Sequence, residues 1–266
     1  MKRNYYLLAI FSLLFFAACD KKKDRVFEES PTERLNATVA NAQAVLKNKP
    51  NGWIMQYYPG DDAGLGGFNL FVNFTSAADV SVQGDYTTGT VASTYKVYPG
   101  AGPILTFDTY NSILDFFALP GAVSGWINYD IGFGGDIEFL VSKATADSVI
   151  LKGRKRSTRI VMVPMPANPT TVIANYKTAF SRFSNASSFR FETATGQVPL
   201  TWGDGYNFTS STENYSLRVT ETGVEFYKEY ELSGVKFKEL TYKPAAAGYP
   251  NGYYTNAAGT IKLVIL

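Results

Sequence analysis

The chain has 266 residues, of which 45% are hydrophobic and 15% aromatic, with 25 basic residues, 23 acidic residues and no histidine. This length allows one domain of ordinary size or two small ones, and the near balance of charge gives no attraction to nucleic acid. The absence of histidine excludes Ser-His-Asp and Cys-His nucleophile systems, as well as zinc or haem held by histidine. We therefore expect no cofactor, no resident metal and no nucleic-acid partner, although carboxylates and carbonyls could still hold calcium.

The N-terminus has the order of a secretory signal. Two basic residues are followed by an apolar run over residues 5–16, which is shorter than the roughly 20 residues of a membrane span. The sole cysteine of the chain comes next, and Phe16-Ala17-Ala18-Cys19 resembles a bacterial lipobox, in which the thiol takes a lipid before cleavage. We predict a signal peptide over residues 1–18 and a lipidated Cys19. The alternative is an ordinary cleaved signal with an incidental cysteine.

The segment after Cys19 is predicted to be a tether over residues 19–30, because its DKKKDR stretch is charged and lacks an apolar pattern. A helix should follow, since Ser30 can cap it, Pro31 suits its first position and Glu33 completes a capping box. The apolar stripe of this helix has helical spacing and consists of Leu35, Val39, Ala42 and Leu46.

From Trp53 the hydrophobic period changes to two, which predicts an antiparallel β meander; with the preceding helix it forms a region over residues 31–163. Phe74 and Phe107 should point inward and Trp53 should be buried. A short helix is predicted over residues 110–119. The eight predicted strands lie at or around Trp53–Tyr58, Phe68–Phe74, Val80 and Val82, Tyr95 and Val97, Ile104–Phe107, Ile137–Val141, Val149–Leu151 and Ile160–Val163.

Residues 164–186 read as a proline-rich linker and a second helix that begins at Asn168-Pro169. Residues 187–266 return to the strand pattern, with five to seven strands expected. The predicted fold class is therefore mostly β: an antiparallel barrel- or sandwich-like N-terminal part with two flanking helices, and a smaller antiparallel β C-terminal part. Alternation by itself does not separate a barrel from a sandwich.

Several blocks of the first half are similar to a known family: FEESPTERLNATVANAQAVL, NGWIMQYYPG, GPILTFDTYNSILDFF, GDIEFLVS and DSVILKGRK, from Phe27 to about Val163. They resemble the Bacteroidetes lipoprotein family called domain of unknown function 4302. The resemblance implies a cell-envelope role beside SusC/SusD-type outer-membrane uptake systems. It carries over no catalytic residues, and a fold does not by itself give a function.

One turn in the C-terminal part has the residue types of a sugar-binding site. Trp202 and Tyr206 could stack on a pyranose, while Asp204 and Asn207 could bind its hydroxyl groups. The alternative is a structural turn whose Trp202 belongs to the core. A second aromatic turn with the same two interpretations contains Tyr249, Tyr253 and Tyr254 near Asn251.

Three other constellations have a chemical and a structural interpretation. Asp136 and Glu138 share one face of a strand and could act as acid and base in glycoside hydrolysis, or be ordinary surface acids. The loop 60–67, with Asp61 and Asp62, could hold calcium or simply connect two strands. The basic turn 152–156 could bind acidic glycans or lipid headgroups, or be a solvated hairpin tip.

Three functions remain open. We favour a non-catalytic ligand-binding accessory of an uptake system, with a glycan or peptide ligand, which an aromatic cleft would support. A flat apolar patch would favour a structural or protein-interaction subunit of an envelope complex, and two buried carboxylates in a cleft would favour a hydrolase. In each case the lipid places the protein in the cell envelope, at the outer membrane, facing either the periplasm or the cell exterior. Transporter components of that membrane are the candidate protein partners.

Overall fold

The computed structural model describes residues 28–60, 64–119, 132–203 and 205–266. The chain divides into two compact units, residues 1–34 and 35–266, and every strand belongs to the second. The predicted signal peptide, Cys19 and the tether up to residue 27 lie outside the described residues. The predicted capping box is confirmed, because the Ser30 N–H donates to Glu33 Oε2 at 2.7 Å and the Glu33 N–H donates to Ser30 Oγ at 3.2 Å. Helix α1 spans Pro31–Lys47.

Eight consecutive antiparallel strands close the first barrel. Each strand pairs with the next along the chain, and the last returns to the first, where Pro164 lies opposite Trp53. This closure distinguishes a barrel from a sandwich, since it leaves no free sheet edge. The strands are β1 (Trp53–Tyr58), β2 (Phe68–Phe74), β3 (Asp79–Gly84), β4 (Thr90–Pro99), β5 (Pro103–Phe107), β6 (Glu138–Ala144), β7 (Val149–Gly153) and β8 (Arg159–Pro164).

The interior of this barrel is filled by its own side chains. Trp53, Phe74 and Phe107 are buried in the core as predicted, and the Trp53 indole N–H donates to the Leu46 carbonyl of α1 at 2.9 Å. Phe117 inserts among the interior rings, with its centroid 4.9 Å from that of Tyr57. A ligand inside this barrel would therefore have to displace packed aromatic side chains.

Phe117 lies on α2, which spans Asp115–Ala118 and is shorter than the helix predicted over residues 110–119. The physical reason is local hydrogen bonding by Asn111. Its side-chain oxygen accepts the N–H groups of Ile113 and Leu114 at 3.1 and 3.4 Å, which favours turns in place of the first helical residues.

Helix α3 (Pro169–Ser184) connects the two barrels and packs on both. Asn168 precedes it in a left-handed conformation, and Pro169 occupies its first turn. Tyr176 packs on the outside of the first barrel, with its ring 5.5 Å from that of Phe71. Phe183, two turns further along, is fully buried in the second barrel and stacks on Phe189 at 4.6 Å.

The second barrel also has eight antiparallel strands, where five to seven were expected. The expected count was too low because β11 and β15 have three residues each, too few to produce a periodic pattern. The first strand pairs with the last, so this barrel closes as well. Its strands are β9 (Phe189–Thr193), β10 (Gly196–Trp202), β11 (Asn207–Thr209), β12 (Asn214–Val219), β13 (Gly223–Leu232), β14 (Val235–Lys243), β15 (Tyr253–Thr255) and β16 (Lys262–Ile265). The predicted fold class is confirmed.

A buried polar joint connects the two barrels. Asn69 of β2 donates through Nδ2 to the Val219 carbonyl at 2.8 Å and to the carboxylate of Asp85, and its Oδ1 accepts from Arg218. The Arg218 guanidinium also pairs with Glu225. Breaking such a buried network leaves unpaired polar groups, so the joint is expected to fix how the barrels are docked.

Candidate functional site

The aromatic turn predicted as a ligand site lies against the core of the second barrel. The half-buried Trp202 donates its indole N–H to the Gly205 carbonyl at 2.8 Å, and its ring lies 5.1 Å from that of Phe208. Tyr206 is only 7% exposed, and its ring lies 5.3 Å from that of Phe68 and 5.8 Å from that of Phe183. The Tyr206 ring could stack on a ligand only by leaving this packing.

The two polar residues of this turn, Asp204 and Asn207, do not form a ligand site open to solvent among the described residues. Asn207 donates through Nδ2 to Ser216 Oγ at 3.1 Å, which attaches it to the neighbouring strand β12. Asp204 lies outside the described residues. A ligand site of Trp202, Asp204, Tyr206 and Asn207 therefore stays a prediction, while the geometry of its aromatic members is that of a structural turn.

The two carboxylates considered for catalysis have separate structural partners. Asp136 is 4% exposed and accepts hydrogen bonds from the Lys155 N–H at 2.8 Å and the Thr158 hydroxyl at 2.9 Å. Glu138 pairs with Arg154 at 2.8 Å and accepts from the Tyr98 hydroxyl, also at 2.8 Å. These hydrogen bonds and this ion pair give each of the two carboxylates a structural role. Of the loop 60–67, Asp61 and Asp62 lie outside the described residues.

A different cluster lies on the outer wall of the second barrel, and we call it the tyrosine platform. It consists of Arg190, Glu192, Tyr249, Tyr253 and Lys262. In β9 the inward residues are phenylalanines, so the alternation of the strand turns Arg190 and Glu192 outward. Pairing of β16 with β9 sets Lys262 directly opposite Glu192.

Glu192 is the acceptor around which the platform is organised. Its Oε1 accepts from Arg190 Nη2 at 2.7 Å and from Gln197 Nε2 at 3.1 Å, and its Oε2 accepts from the Tyr249 hydroxyl at 2.9 Å. Lys262 Nζ donates to the same Tyr249 oxygen at 2.8 Å. Four of the five side chains, Arg190, Glu192, Tyr249 and Lys262, are thus held by at least one charge-assisted or hydroxyl hydrogen bond.

The two tyrosine rings form the aromatic part of the platform. Their centroids are 4.5 Å apart with an angle of 42° between the planes, and both side chains are half-buried. Lys262 Nζ lies 4.8 Å from the centroid of Tyr249 and 5.6 Å from that of Tyr253. Gly252, with φ of +82°, makes the turn that places Tyr253, and a Cβ there would lie 2.7 Å from the Lys243 carbonyl oxygen.

The charges of the platform are fixed near neutral pH. Burial raises the pKa of Glu192, but hydrogen bonds from Arg190 and Tyr249 outweigh burial and lower the pKa overall. The hydrogen bond to Tyr249 raises the pKa of Lys262. Both pKa values are shifted away from neutral pH, where proton transfer by a side chain is most efficient. The arrangement therefore suits binding better than acid–base chemistry.

Comparison with known protein families identifies a relationship for this chain. The chain belongs to the family called domain of unknown function 4302. The family's model matches residues 23–244, so the similarity continues beyond Val163 through β14 and ends before the loop that carries Tyr249. No curated protein and no solved structure matches the chain.

Two further observations describe this DUF4302 protein. Across the described residues, no helix has both the length and the apolar character needed to cross a membrane. Within the same ranges, no group of three or more Asp, Glu or Cys side chains is close enough together to hold a metal ion.

The sequence identified two of the five residues of the platform. The aromatic turn predicted there contained Tyr249, Tyr253 and Tyr254, of which Tyr254 is buried in the core, and Arg190, Glu192 and Lys262 were missed. The available signal was the alternation of outward polar and inward apolar residues in β9 and β16. That signal becomes informative only once closure of the barrel makes these two strands neighbours.

Proposed function

We propose that this protein is a lipid-anchored, non-catalytic binding protein of the cell envelope that captures a carbohydrate on the tyrosine platform. We further propose that it is an accessory of a SusC/SusD-type outer-membrane nutrient uptake system. The observation that carries the binding proposal is the pair of half-buried tyrosine rings on the outer wall, beside charged hydrogen-bonding groups that hold one another in place. Family membership supports the second proposal only through the resemblance described above.

The platform has the parts that carbohydrate recognition needs. Aromatic faces can stack on the apolar face of a sugar ring, and charged groups can bind its hydroxyls. Because Glu192, Tyr249 and Lys262 are already joined by hydrogen bonds, a ligand would need to order few side chains. Each stacking contact should contribute on the order of 1 kcal/mol. Useful affinity then requires both rings together with the polar contacts.

Barrel interiors offer a less suitable place for a ligand. In the second barrel Phe183, Phe191 and Phe226 are fully buried among other rings, as Phe117 is in the first. The half-buried platform on the outer wall can instead meet a polymer whose ends extend past the protein. This accessibility favours an extended glycan over a small molecule enclosed on all sides.

The anchoring part of the proposal is tested at Cys19. An acyl chain contributes about 0.8 kcal/mol for each buried methylene, so a multiply acylated cysteine should keep the protein on membranes. Cys19→Ser should abolish metabolic labelling with a fatty acid and move the protein to the soluble fraction or leave its precursor uncut. Ser142→Ala, on the exposed part of β6, is the matched control and should be labelled normally. An unlabelled wild type would contradict lipid anchoring.

The uptake-system part is tested by cross-linking in native envelopes with the anchor intact. The expected result is recovery of a transporter of the SusC type together with its SusD-type lipoprotein, from cells that express the protein at its natural level. Recovery of neither component would contradict this part. Carbohydrate binding is measured separately, so the two parts of the proposal can fail independently.

A further inference from the structure

A strongly basic segment lies on the first barrel, whereas the tyrosine platform belongs to the second. Residues 152–159, KGRKRSTR, contain five cationic residues and no acidic one, although the whole chain carries a net charge of only +2. The segment forms the end of β7, the hairpin turn and the start of β8. Such a local excess of one charge attracts anions over a distance of about 10 Å at moderate ionic strength.

The hairpin turn is held in one shape by a buried acid. The Asp136 carboxylate accepts the N–H groups of Lys155 and Arg156 and the hydroxyl of Thr158. The Gly153 N–H also donates to the Thr158 carbonyl at 2.9 Å, and a side chain at Gly153 would overlap the Asp136 carboxylate. The basic side chains therefore project from a pre-organised turn.

An open pocket of about 280 Å³ lies directly beside this turn, on the outer wall of the barrel. Ala101, Ile104 and Leu140 give it an apolar surface, while Lys152, Arg154 and Ser157 give it a polar and cationic edge. The strand register explains the combination, because Leu140 of β6 lies between Ile104 of β5 and Lys152 of β7.

Arg154 is oriented so that part of its guanidinium remains available. Its Nη1 donates to Glu138 Oε2 at 2.8 Å and to the Tyr98 hydroxyl at 3.2 Å, which fixes the plane of the group. Both bonds use Nη1, so Nε and Nη2 can donate to a ligand. Lys152 is exposed and forms no ion pair with any described residue.

We propose that this pocket binds a phosphate-bearing ligand. The phosphate would be held by Lys152 and the open edge of Arg154, whose donors fit the geometry of an oxyanion. The glycerol or acyl portion next to the phosphate would lie on Ile104 and Leu140. Two sources have this chemistry: the headgroup of an anionic phospholipid and a soluble phosphate ester. The proposal is independent of the carbohydrate platform and of the lipid on Cys19.

The test is calorimetric titration of the full-length protein in non-ionic detergent with three probes. These are sn-glycerol 3-phosphate, dihexanoyl phosphatidylglycerol and, as a net-neutral comparison, dihexanoyl phosphatidylcholine. The test variant is Lys152→Gln with Arg154→Gln. The matched control is Lys47→Gln with Lys143→Gln, which removes two exposed cations outside the pocket.

Phosphatidylglycerol should bind the wild type and the control equally, and the test variant about tenfold more weakly. Binding should also weaken between about 50 mM and about 500 mM salt. Tighter binding of phosphatidylglycerol than of glycerol phosphate would identify a lipid headgroup as the source, and equal binding would identify a soluble ester. A second variant, Leu140→Ser, should weaken only the binding of the lipid probe.

Three results would overturn the proposal. They are an absence of binding by both net-anionic probes, equal binding by the test variant and the wild type, and equal binding of phosphatidylcholine and phosphatidylglycerol. Circular dichroism and urea unfolding of each variant show whether a loss of binding comes from a loss of the fold.

Discussion

Replacing Asp85 with asparagine should change how stability depends on pH. Asp85 is buried in the joint between the barrels, where Oδ2 accepts from Asn69 and Oδ1 has no hydrogen-bond partner among the described residues. Burial raises the pKa of this carboxyl from an ordinary value of 3.8 to about 7, although the hydrogen bond from Asn69 and the nearby Arg218 charge both act to lower it. Tyr86 and Tyr206 lie close by and are uncharged at neutral pH.

The pKa difference sets the sign and the size of the effect. Between about pH 4 and pH 7 the folded protein keeps a proton on Asp85 that the unfolded chain has lost, so the contribution of this group to stability falls as pH rises. Each pH unit across that interval corresponds to about 1.4 kcal/mol, which gives an upper limit of about 4 kcal/mol. Below pH 4 the carboxyl is neutral in both states, and the effect disappears.

Asparagine keeps an oxygen that can accept from Asn69 and cannot ionise. Urea unfolding followed by circular dichroism, from pH 4 to pH 8, should therefore show the Asp85→Asn variant gaining stability relative to the wild type as pH rises. Asp147→Asn, which removes an exposed carboxylate from the same barrel, should stay within about 0.5 kcal/mol of the wild type throughout. A difference in unfolding free energy between Asp85→Asn and the wild type that does not change with pH would refute the reasoning. So would an Asp85→Asn variant that loses stability relative to the wild type as pH rises, because that result would mean that the ionised Asp85 carboxylate is stabilised by Arg218.

Two further predictions concern packing and the basic hairpin. Phe183→Ala should lower the free energy of unfolding by about 3–5 kcal/mol, because this buried ring of α3 stacks on Phe189 inside the second barrel. A loss below about 1 kcal/mol in urea melts would show that the helix does not contribute to that core. Asp136→Ala should leave the N–H groups of Lys155 and Arg156 without their acceptor, costing about 1–3 kcal/mol and accelerating hydrogen exchange in the hairpin. Exchange rates equal to those of the wild type would contradict the capping role of Asp136.

The sequence predicted local structure well where the signal lies within a single helix or strand. The alternation in β2 identified the strand to the residue, and Ser30 with Glu33 identified the start of α1. Closure of the first barrel could not be predicted in this way. It depends on pairing between Trp53 and Pro164, and two positions so far apart in the chain leave no periodic signal. The same holds for the pairing of β9 with β16.

Residue types indicated aromatic turns but not the direction in which their side chains point. Trp202 and Tyr206 have suitable chemistry for a sugar site, yet Phe183 of α3 draws both rings into the packing of the core. At Tyr249 and Tyr253, in contrast, the turn at Gly252 leaves the rings half-buried on the outer wall, where part of each ring reaches solvent. The partners Glu192 and Lys262 are brought to these rings by tertiary structure, which local patterns do not encode.

The most direct test of the proposed function is a glycan array probed with the full-length wild type, the Tyr249→Ala/Tyr253→Ala variant and Tyr110→Ala. The last variant removes a tyrosine that is 69% exposed and lies outside the platform. The wild type and Tyr110→Ala should bind the same glycans with equal strength. The platform variant should bind about 30-fold more weakly, as expected for two lost stacking contacts of about 1 kcal/mol each, while its circular dichroism spectrum is unchanged. Equal binding by the platform variant would contradict the account, and so would a wild type that binds no glycan, a result that would favour a protein-interaction subunit.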